Sequence, residues 1–184
     1  MDCRPSRSRV LAIHPELETD RLTLRRFEFA DAPFVLGLLN EPSFIQNIGD
    51  KGVRTIEDAQ RYLREGPMAM YERHGFGLWQ VARKSDGVAV GMCGLLQRDN
   101  LPDPDIGYAY LPGFWGQGYA IEAAQATLRH AAGKFGLRRV VAVVSPGNTG
   151  SIHVLEKLGM KFERMHLMRP GEPEVRLYGT LTGA

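Results

Sequence analysis

Apolar and polar residues follow one another along the chain in short blocks that predict a succession of strands and helices. Leu22 and Leu24 alternate with polar or charged residues between positions 21 and 27, as in a strand with one buried face. From Ile121 onward, apolar residues recur at helical spacing until Gly136. No internal repeat, low-complexity segment or linker interrupts this pattern, which therefore predicts one mixed domain.

The order of the predicted elements is a strand, two helices, a hairpin, a strand–helix–strand unit, a helix and a closing hairpin. The segments are a strand at 21–27, a helix from Asp31 to about Leu39, a helix started by Thr55 and Asp58 and interrupted at Gly66-Pro67, hairpin strands at 77–83 and 88–96, a strand at 106–111, the helix that ends at Gly136, a strand at 140–144, a helix at 148–158, and two strands around Pro170–Pro173. A strand, crossover helix and strand of this length form a right-handed unit, so 106–111 and 140–144 are predicted to be parallel.

The turn from Trp115 to Ala120 lies between a predicted strand and a predicted long helix and is the main candidate binding feature. Free amides at a helix N-terminus converge on one point, and glycines let the backbone approach a phosphate. A dinucleotide fingerprint is excluded because its third glycine position is Ile121, and a Walker loop is excluded because no Gly-Lys-Ser/Thr follows. The turn therefore predicts a site for some other phosphorylated ligand.

Composition narrows the functional class. The 184 residues are 43% hydrophobic, enough for a sizeable core, and the net charge of +2 is too small to favour nucleic acid. Two cysteines, Cys3 and Cys93, indicate a reducing compartment, and no apolar run predicts a signal peptide or a membrane span. The five histidines show no ligand spacing, so no metal site is expected. We expect a cytoplasmic protein, monomer or homodimer, without nucleic-acid or membrane partners.

Three segments resemble one enzyme family, the GNAT acetyltransferases. Trp115, Gly118 and Ala120 fall on its acetyl-CoA loop, written Q/R-x-x-G-x-G/A, with tryptophan at the first position. The variant W-G-x-G-Y-A-x-E-A at 115–123 and the sequence T-x-R-L-x-L-R at 19–25 resemble the RimJ/RimL branch, which acetylates protein N-terminal amines. The segment N-x-x-S-x-x-V-L-E-K-L-G at 148–159 is the most specific of the three. By itself, 19–25 also reads as a plain edge strand with a solvated arginine face.

The resemblance implies a fold and its extent. The fold class is α/β (α+β mixed): the GNAT fold, with a central mixed, mostly antiparallel twisted sheet, one splayed parallel strand pair and flanking helices. We expect residues 1–17 to form a mobile tail and residues 18–182 to form a single GNAT acetyltransferase domain.

The resemblance also implies a reaction and its residues. Acetyl-CoA would be the co-substrate, and its acetyl group would pass to a primary amine. A backbone amide near Leu111 would polarise the thioester carbonyl, and Ser151 would tend the leaving thiol, because the family's usual tyrosine position is Leu155 here. The expected cofactor contacts are Leu111, Trp115, Gly116, Gln117, Gly118, Tyr119, Ala120, Asn148 and Ser151.

The general base is the least defined part of the predicted site. Asp105, just before the strand that leads to Leu111, is the candidate, with Glu41 and Asp50 as weaker ones, although a surface charge at a strand start also explains Asp105. An enzyme without a defined base, relying on water and positioning, should prefer amines of low pKa, so we expect the acceptor to be the N-terminal amine of a protein or peptide. Two alternatives stay open: acetylation of a small-molecule amine, and a non-catalytic acyl-CoA-binding module.

Overall fold

The computed structural model describes residues 15–181, which form a twisted eight-stranded sheet with helices on both faces. The strands are β1 (Leu17–Glu18), β2 (Leu22–Arg26), β3 (Leu78–Arg83), β4 (Ala89–Leu96), β5 (Asp105–Tyr110), β6 (Arg139–Val144), β7 (Lys161–His166) and β8 (Val175–Leu181). The helices are α1 (Ala32–Asn40), α2 (Pro42–Ile48), α3 (Ile56–Leu63), α4 (Ala69–His74), α5 (Tyr119–Phe135) and α6 (Thr149–Lys157).

The sheet has the order β1-β2-β3-β4-β5-β6-β8-β7, and every neighbouring pair is antiparallel except β5 and β6. The parallel pair is registered at one position only, Asp105 opposite Val141. Beyond that position the two strands have no registered pairs, so the sheet opens between them. The predicted α/β fold with one splayed parallel pair is confirmed.

Each face of the sheet has its own apolar core. Helix α5 covers one face, where Trp79, Tyr110 and Ala124 belong to the larger cluster of buried side chains. Helices α1 and α3 cover the other face, where Leu38, Leu63 and neighbouring apolar side chains form a second cluster. Because side chains alternate along a strand, successive residues of β5 point to different cores. Tyr108 and Tyr110 therefore lie toward α5, whereas Ala109 and Leu111 lie toward α1 and α3.

A local capping contact explains where α3 begins. The hydroxyl of Thr55 accepts the N–H of Asp58 at 3.1 Å, and the Asp58 carboxylate accepts the N–H of Thr55 at 3.1 Å, which is the predicted capping box. At Gly66-Pro67 the predicted interruption takes the form of a π-helical turn over Arg64–Met68 that connects α3 to α4. Helix α2 was not predicted, since it is seven residues long and carries no apolar period of its own.

The start of the domain differs slightly from the prediction. Residues 1–14, including Cys3 and His14, and residues 182–184 lie outside the described part of the chain. Leu17 was assigned to the tail, but it pairs with Leu24 as part of β1. Glu16 forms ion pairs with Arg26 at 2.6 Å and with Lys134 at 2.8 Å, which attach this segment to β2 and α5.

Candidate active site

The candidate site is built around the opening between β5 and β6. The N–H of Leu111 donates to the carbonyl of Val90 at 3.0 Å, so Leu111 faces β4 with its backbone groups. Because backbone groups alternate between the two edges of a strand, those of Ala109 and Gly107 also face β4. The remaining residues of β5, Tyr108 and Tyr110, direct their N–H groups toward β6, where the sheet offers them no registered partner. These two amides border the opening and are available to a ligand that enters it.

This register corrects the prediction for Leu111. Its N–H is bound to Val90, and its carbonyl accepts the N–H of Phe114 at 3.0 Å. Leu111 therefore has no free backbone amide to place against a thioester carbonyl. The sequence alone does not show which backbone N–H groups of β5 face β4 and which face β6. A shift of one residue in the register exchanges the two sets, so the donor amide could be located only to the neighbourhood of Leu111.

The turn after β5 exposes a continuous row of amides. Within the described part of the chain, none of the N–H groups of residues 116–121 donates a hydrogen bond to a protein acceptor. Gly116 and Gly118 have φ of 73° and 81°, values that favour glycine and that turn these amides outward at the N-terminus of α5. The row combines free donors with the positive end of a 17-residue helix, which is the arrangement that binds phosphate groups.

Trp115 closes the strand that leads into this turn. Its indole Nε1 donates to the carbonyl of Tyr110 at 2.8 Å, while 54% of the residue's surface stays exposed. The indole thus occupies a backbone acceptor of β5 that would otherwise face the opening. This bond fixes the turn to the strand and leaves one face of the ring toward solvent.

Two segments far apart in sequence meet behind the turn. The Glu122 carboxylate accepts hydrogen bonds from the Thr19 hydroxyl at 2.5 Å, the Arg21 N–H at 3.0 Å and the Arg21 Nε at 2.7 Å. The Arg21 guanidinium also donates to the carbonyl of Gln117 at 2.9 Å and lies 4.7 Å from the centre of the Tyr119 ring. We call Thr19, Arg21 and Glu122 the clamp. Through Arg21, it binds the carbonyl of Gln117 on the side of the turn away from the free amides.

The clamp was only partly visible in the sequence. Both motifs that contain it were noted, but the alternative for 19–25 was a solvated arginine face. Partial burial opposes ionisation of Glu122, yet the hydrogen bonds from Thr19 and Arg21 hold its pKa below the usual value. The Arg21 side chain is about half exposed beside the free amides, so it adds positive charge to the turn.

Helix α6 places Asn148 and Ser151 on the other side of the opening. The Asn148 side chain accepts the N–H of Ser151 at 3.0 Å and caps the helix. The Ser151 hydroxyl lies 2.8 Å from the hydroxyl of Tyr108, which also donates to the Ser151 carbonyl at 3.2 Å. Leu155, at the family's usual tyrosine position, is buried in the core. The sequence analysis did not identify Tyr108, although the alternation of side chains along β5 would have placed it on the same face as Tyr110.

Asp105 lies at the closed end of the opening and is 1% exposed. Its Oδ1 is 3.3 Å from Nε of Arg98 and accepts no hydrogen bond within the described chain. Burial raises the pKa of Asp105 to about 6, and the nearby Arg98 charge limits the rise. Tyr108 is three positions after Asp105, so the two side chains point to different faces of the sheet, roughly 10 Å apart along the strand.

The weaker base candidates have other surroundings. Asp50 is exposed and its carboxylate lies 2.5 Å from Arg54, whose hydrogen bond lowers the pKa of Asp50. Glu41 precedes α2 and its N–H closes the end of α1 on the carbonyl of Leu38 at 3.3 Å. Asp105 is the carboxylate that the sheet register ties to the opening, opposite Val141, and burial raises its pKa. Over residues 15–181, no group of His, Cys, Asp and Glu side chains could hold a metal ion, and no helix is long and apolar enough to cross a membrane.

Comparison with known proteins gives consistent matches over most of the chain. A family model described as acetyltransferase (GNAT) domain matches residues 21–161. YkkB, an uncharacterized protein of Bacillus subtilis, is 33% identical over 153 residues, which cover 81% of this chain and 87% of that protein. The uncharacterized N-acetyltransferase YnaD of the same organism is 29% identical over 147 residues, covering 80% and 83%.

Solved structures agree in fold. The acetyltransferase from Agrobacterium tumefaciens matches with a TM-score of 0.77 and 27% identity, covering 95% of this chain and 99% of that chain. RimL, a ribosomal alpha-N-protein acetyltransferase in complex with coenzyme A, matches with a TM-score of 0.76 and 20% identity, covering 89% and 95%. At that identity the likeness to RimL concerns the fold alone.

Proposed function

Because the chain belongs to the GNAT acetyltransferase family, and is thus an N-acetyltransferase, we propose that its acceptor is the N-terminal amine of a protein or peptide. GNAT enzymes take the acetyl group from acetyl-CoA, so the donor substrate follows from the family. The acceptor does not follow from it. Our proposal for the acceptor depends on Asp105 and on the side of the opening that it faces.

The donor site that we propose begins at the turn. The free amides of residues 116–121, with Arg21 beside them, would bind the diphosphate of acetyl-CoA, and Trp115 would border it. The acyl arm would follow the free edge of β5, where the N–H groups of Tyr108 and Tyr110 replace Leu111 as donors to the thioester carbonyl. Backbone amides suit this role because they are already oriented when charge develops on the oxygen. Asn148 and Ser151 would lie at the thioester end.

Base and acid would then act from opposite faces of the sheet. Asp105 faces the side covered by α1 and α3, while the Ser151 hydroxyl lies on the side of α5 and α6. An amine that arrives from the Asp105 side would attack the carbonyl carbon and lose its proton, through solvent, to the carboxylate, which lies roughly 10 Å along the strand from Tyr108. The sulfur would leave toward Ser151. No metal has a part in these steps.

The observation that supports the choice of acceptor is the buried Asp105 carboxylate opposite Val141, whose pKa burial raises to about 6; the preference between two amines then follows from their own pKa values. A carboxylate of this pKa removes a proton from an α-ammonium group of pKa about 8 at a free-energy cost of roughly 3 kcal/mol. For a lysine ammonium of pKa about 10.4, the same transfer costs roughly 6 kcal/mol. The difference favours an N-terminal amine by a factor on the order of 100 when all else is equal.

A matched peptide panel tests the acceptor. One peptide carries a free N-terminus and arginine in place of lysine; its partner has a blocked N-terminus and one lysine; polyamines and amino sugars form the third group. We expect acetylation, read by mass, to have the highest kcat/KM on the free N-terminus. Faster turnover of the blocked lysine peptide, or saturation by a small amine at lower concentration, would overturn the proposal. Thiol release measured in parallel identifies a protein that binds the donor without transferring the acetyl group.

A further inference from the structure

The hydroxyl of Tyr108 connects the two sides of the opening. Its side chain extends from β5, and its oxygen lies 2.8 Å from the Ser151 hydroxyl in α6, the helix that follows β6. It also donates to the Ser151 carbonyl at 3.2 Å. The Ser151 backbone is fixed in turn by Asn148, whose side chain accepts its N–H. Two hydroxyls are thus held together where the thioester end of the donor is expected.

The surroundings keep this tyrosine in its protonated form. Tyr108 is packed against the core under α5, and burial raises the pKa of its hydroxyl, an effect that the hydrogen bond with Ser151 opposes. At neutral pH the hydroxyl therefore keeps its proton, and it acts as a hydrogen-bond partner of Ser151 and not as an acid. A chain of two hydrogen-bonded hydroxyls donates more strongly than a single serine, because each bond polarises the next.

This inference rests on the proposed function. We propose that Tyr108 fixes the orientation of the Ser151 hydroxyl, which donates a hydrogen bond to the sulfur of coenzyme A as it leaves. Ser151 touches the reacting sulfur, and Tyr108 acts through it as a positioning residue.

The step balances as follows. The amine nitrogen forms a bond to the thioester carbon, and the carbon–sulfur bond breaks with its electron pair going to sulfur. Sulfur leaves as a thiolate that accepts a hydrogen bond from the Ser151 hydroxyl and then takes a proton from water; Tyr108 keeps its own proton throughout. The proton that the nitrogen loses passes to the Asp105 carboxylate and from there to water.

Tyr108→Phe is the first test, since it removes the hydroxyl and retains the ring. We expect kcat to fall about 10- to 100-fold, less than the roughly 100- to 10,000-fold of a general acid because Tyr108 acts through Ser151, while the Kd for acetyl-CoA stays within about twofold. Ser151→Ala should lower kcat by a similar factor. The double variant should be no slower than the slower single variant, because both changes interrupt the same path.

Tyr71→Phe is the matched control for loss of a buried tyrosine hydroxyl. The Tyr71 hydroxyl accepts the N–H of Phe27 at 3.1 Å and donates to the carbonyl of Leu78, far from the opening. We expect this variant to unfold at lower temperature but to keep its kcat. An equal loss of kcat in both variants would assign Tyr108 a structural role only and overturn the inference.

An acetyl donor with a better leaving group gives a readout that a structural role would not change. In acetyl-seleno-coenzyme A the departing selenolate is stable without a proton at neutral pH. The loss of kcat in Tyr108→Phe should therefore be severalfold smaller with this donor than with acetyl-CoA. An equal loss of kcat with both donors would contradict the positioning role of Tyr108. If the unaltered protein acetylates amines but Tyr108→Phe keeps full kcat, the role of Tyr108 alone fails; if the unaltered protein acetylates no amine, the proposed function fails.

Discussion

Asp105 is the residue whose charge the fold opposes most directly. It is almost completely buried, its Oδ1 accepts no hydrogen bond within the described residues, and its pKa is raised to about 6. A carboxyl whose pKa is higher in the folded than in the unfolded state destabilises the fold once it ionises. The unfolding free energy should therefore fall as pH rises from about 4 to about 6, by roughly 3 kcal/mol for this residue.

Asp105→Asn should consequently stabilise the protein while it inactivates the enzyme. At pH 8 we expect a higher unfolding free energy than in the unaltered protein, by up to about 3 kcal/mol, and a gain near zero at pH 4. Urea unfolding at both pH values measures this. In the unaltered enzyme kcat/KM should fall as pH decreases through about 6, and the variant should lose about 100-fold or more.

Asp50→Asn is the control, because Asp50 is an exposed carboxylate paired with Arg54. Its pKa is lowered by that pairing, so its removal should bring no gain in stability at pH 8 and no loss of turnover. If Asp105→Asn keeps the pH profile of kcat/KM of the unaltered enzyme, Asp105 is not the general base.

Gly118 is the second residue with a measurable role of its own. It has φ of 81°, and a Cβ placed there would lie 3.3 Å from the Arg21 guanidinium. Gly118→Ala should lower stability by about 1–2 kcal/mol and should also weaken acetyl-CoA binding by about tenfold, measured by calorimetry. Gly136→Ala, at the other end of α5 with φ of 62° and open space around it, should show the stability loss alone. Equal acetyl-CoA affinity in the two variants would contradict the assignment of the turn.

At the scale of elements, the clamp connects β2 to the N-terminus of α5. A carboxylate in the first turn of a helix that is meant to bind phosphate is unfavourable for that ligand, since both are anions. Arg21 offsets the negative charge of Glu122, because its guanidinium donates one hydrogen bond to the Glu122 carboxylate and another to the carbonyl of Gln117. The affinity of the turn should therefore depend on the balance of the two charges more than on either residue alone.

Charge variants of the clamp test this balance. Arg21→Gln leaves the Glu122 carboxylate uncompensated, and we expect acetyl-CoA affinity to fall about tenfold, less so in 0.5 M salt because of screening. Adding Glu122→Gln in the same protein should restore most of the affinity, although stability falls by about 1–2 kcal/mol from the lost hydrogen bonds. A double variant that binds no better than Arg21→Gln would show that geometry, and not charge, is what Arg21 contributes.

The strands and helices at the site differ in how well the sequence predicted them. The β5–turn–α5 unit was predicted because glycines, helix spacing and a family motif coincide there. The pair of Tyr108 and Ser151 was not, since it depends on how β5 and α6 face each other across 43 residues of chain. The donor amide was expected near Leu111, but the N–H of Leu111 itself is bound to Val90, a contact that depends on the register of β4 and β5 and that the sequence does not show.

For the whole molecule, the opening divides the sheet into β1–β5 and β6–β8, which are registered at Asp105 and Val141 alone. A ligand that fills the opening binds the folded state and not the unfolded chain. Acetyl-CoA at about 100 times its Kd should therefore raise the unfolding free energy by about 2.7 kcal/mol.

Hydrogen exchange locates that stabilisation. We expect the amides of Tyr108 and Tyr110, together with those of residues 116–121, to become protected when acetyl-CoA is added. The amide of Leu111 should be protected already without ligand, because it is bound to Val90. Unchanged exchange at both tyrosines, despite ligand binding, would place the acyl arm elsewhere.

The distance in sequence between the two halves of the clamp has a consequence for biosynthesis. The ribosome completes Arg21 about a hundred residues before it makes Glu122, so the first long strand emerges well ahead of the carboxylate that will anchor it. Contacts of such long range are acquired late, after the loop between them has closed. The grip on the nucleotide end of the donor is thus among the last features to mature in a newly made molecule, and half-finished chains carry none of it.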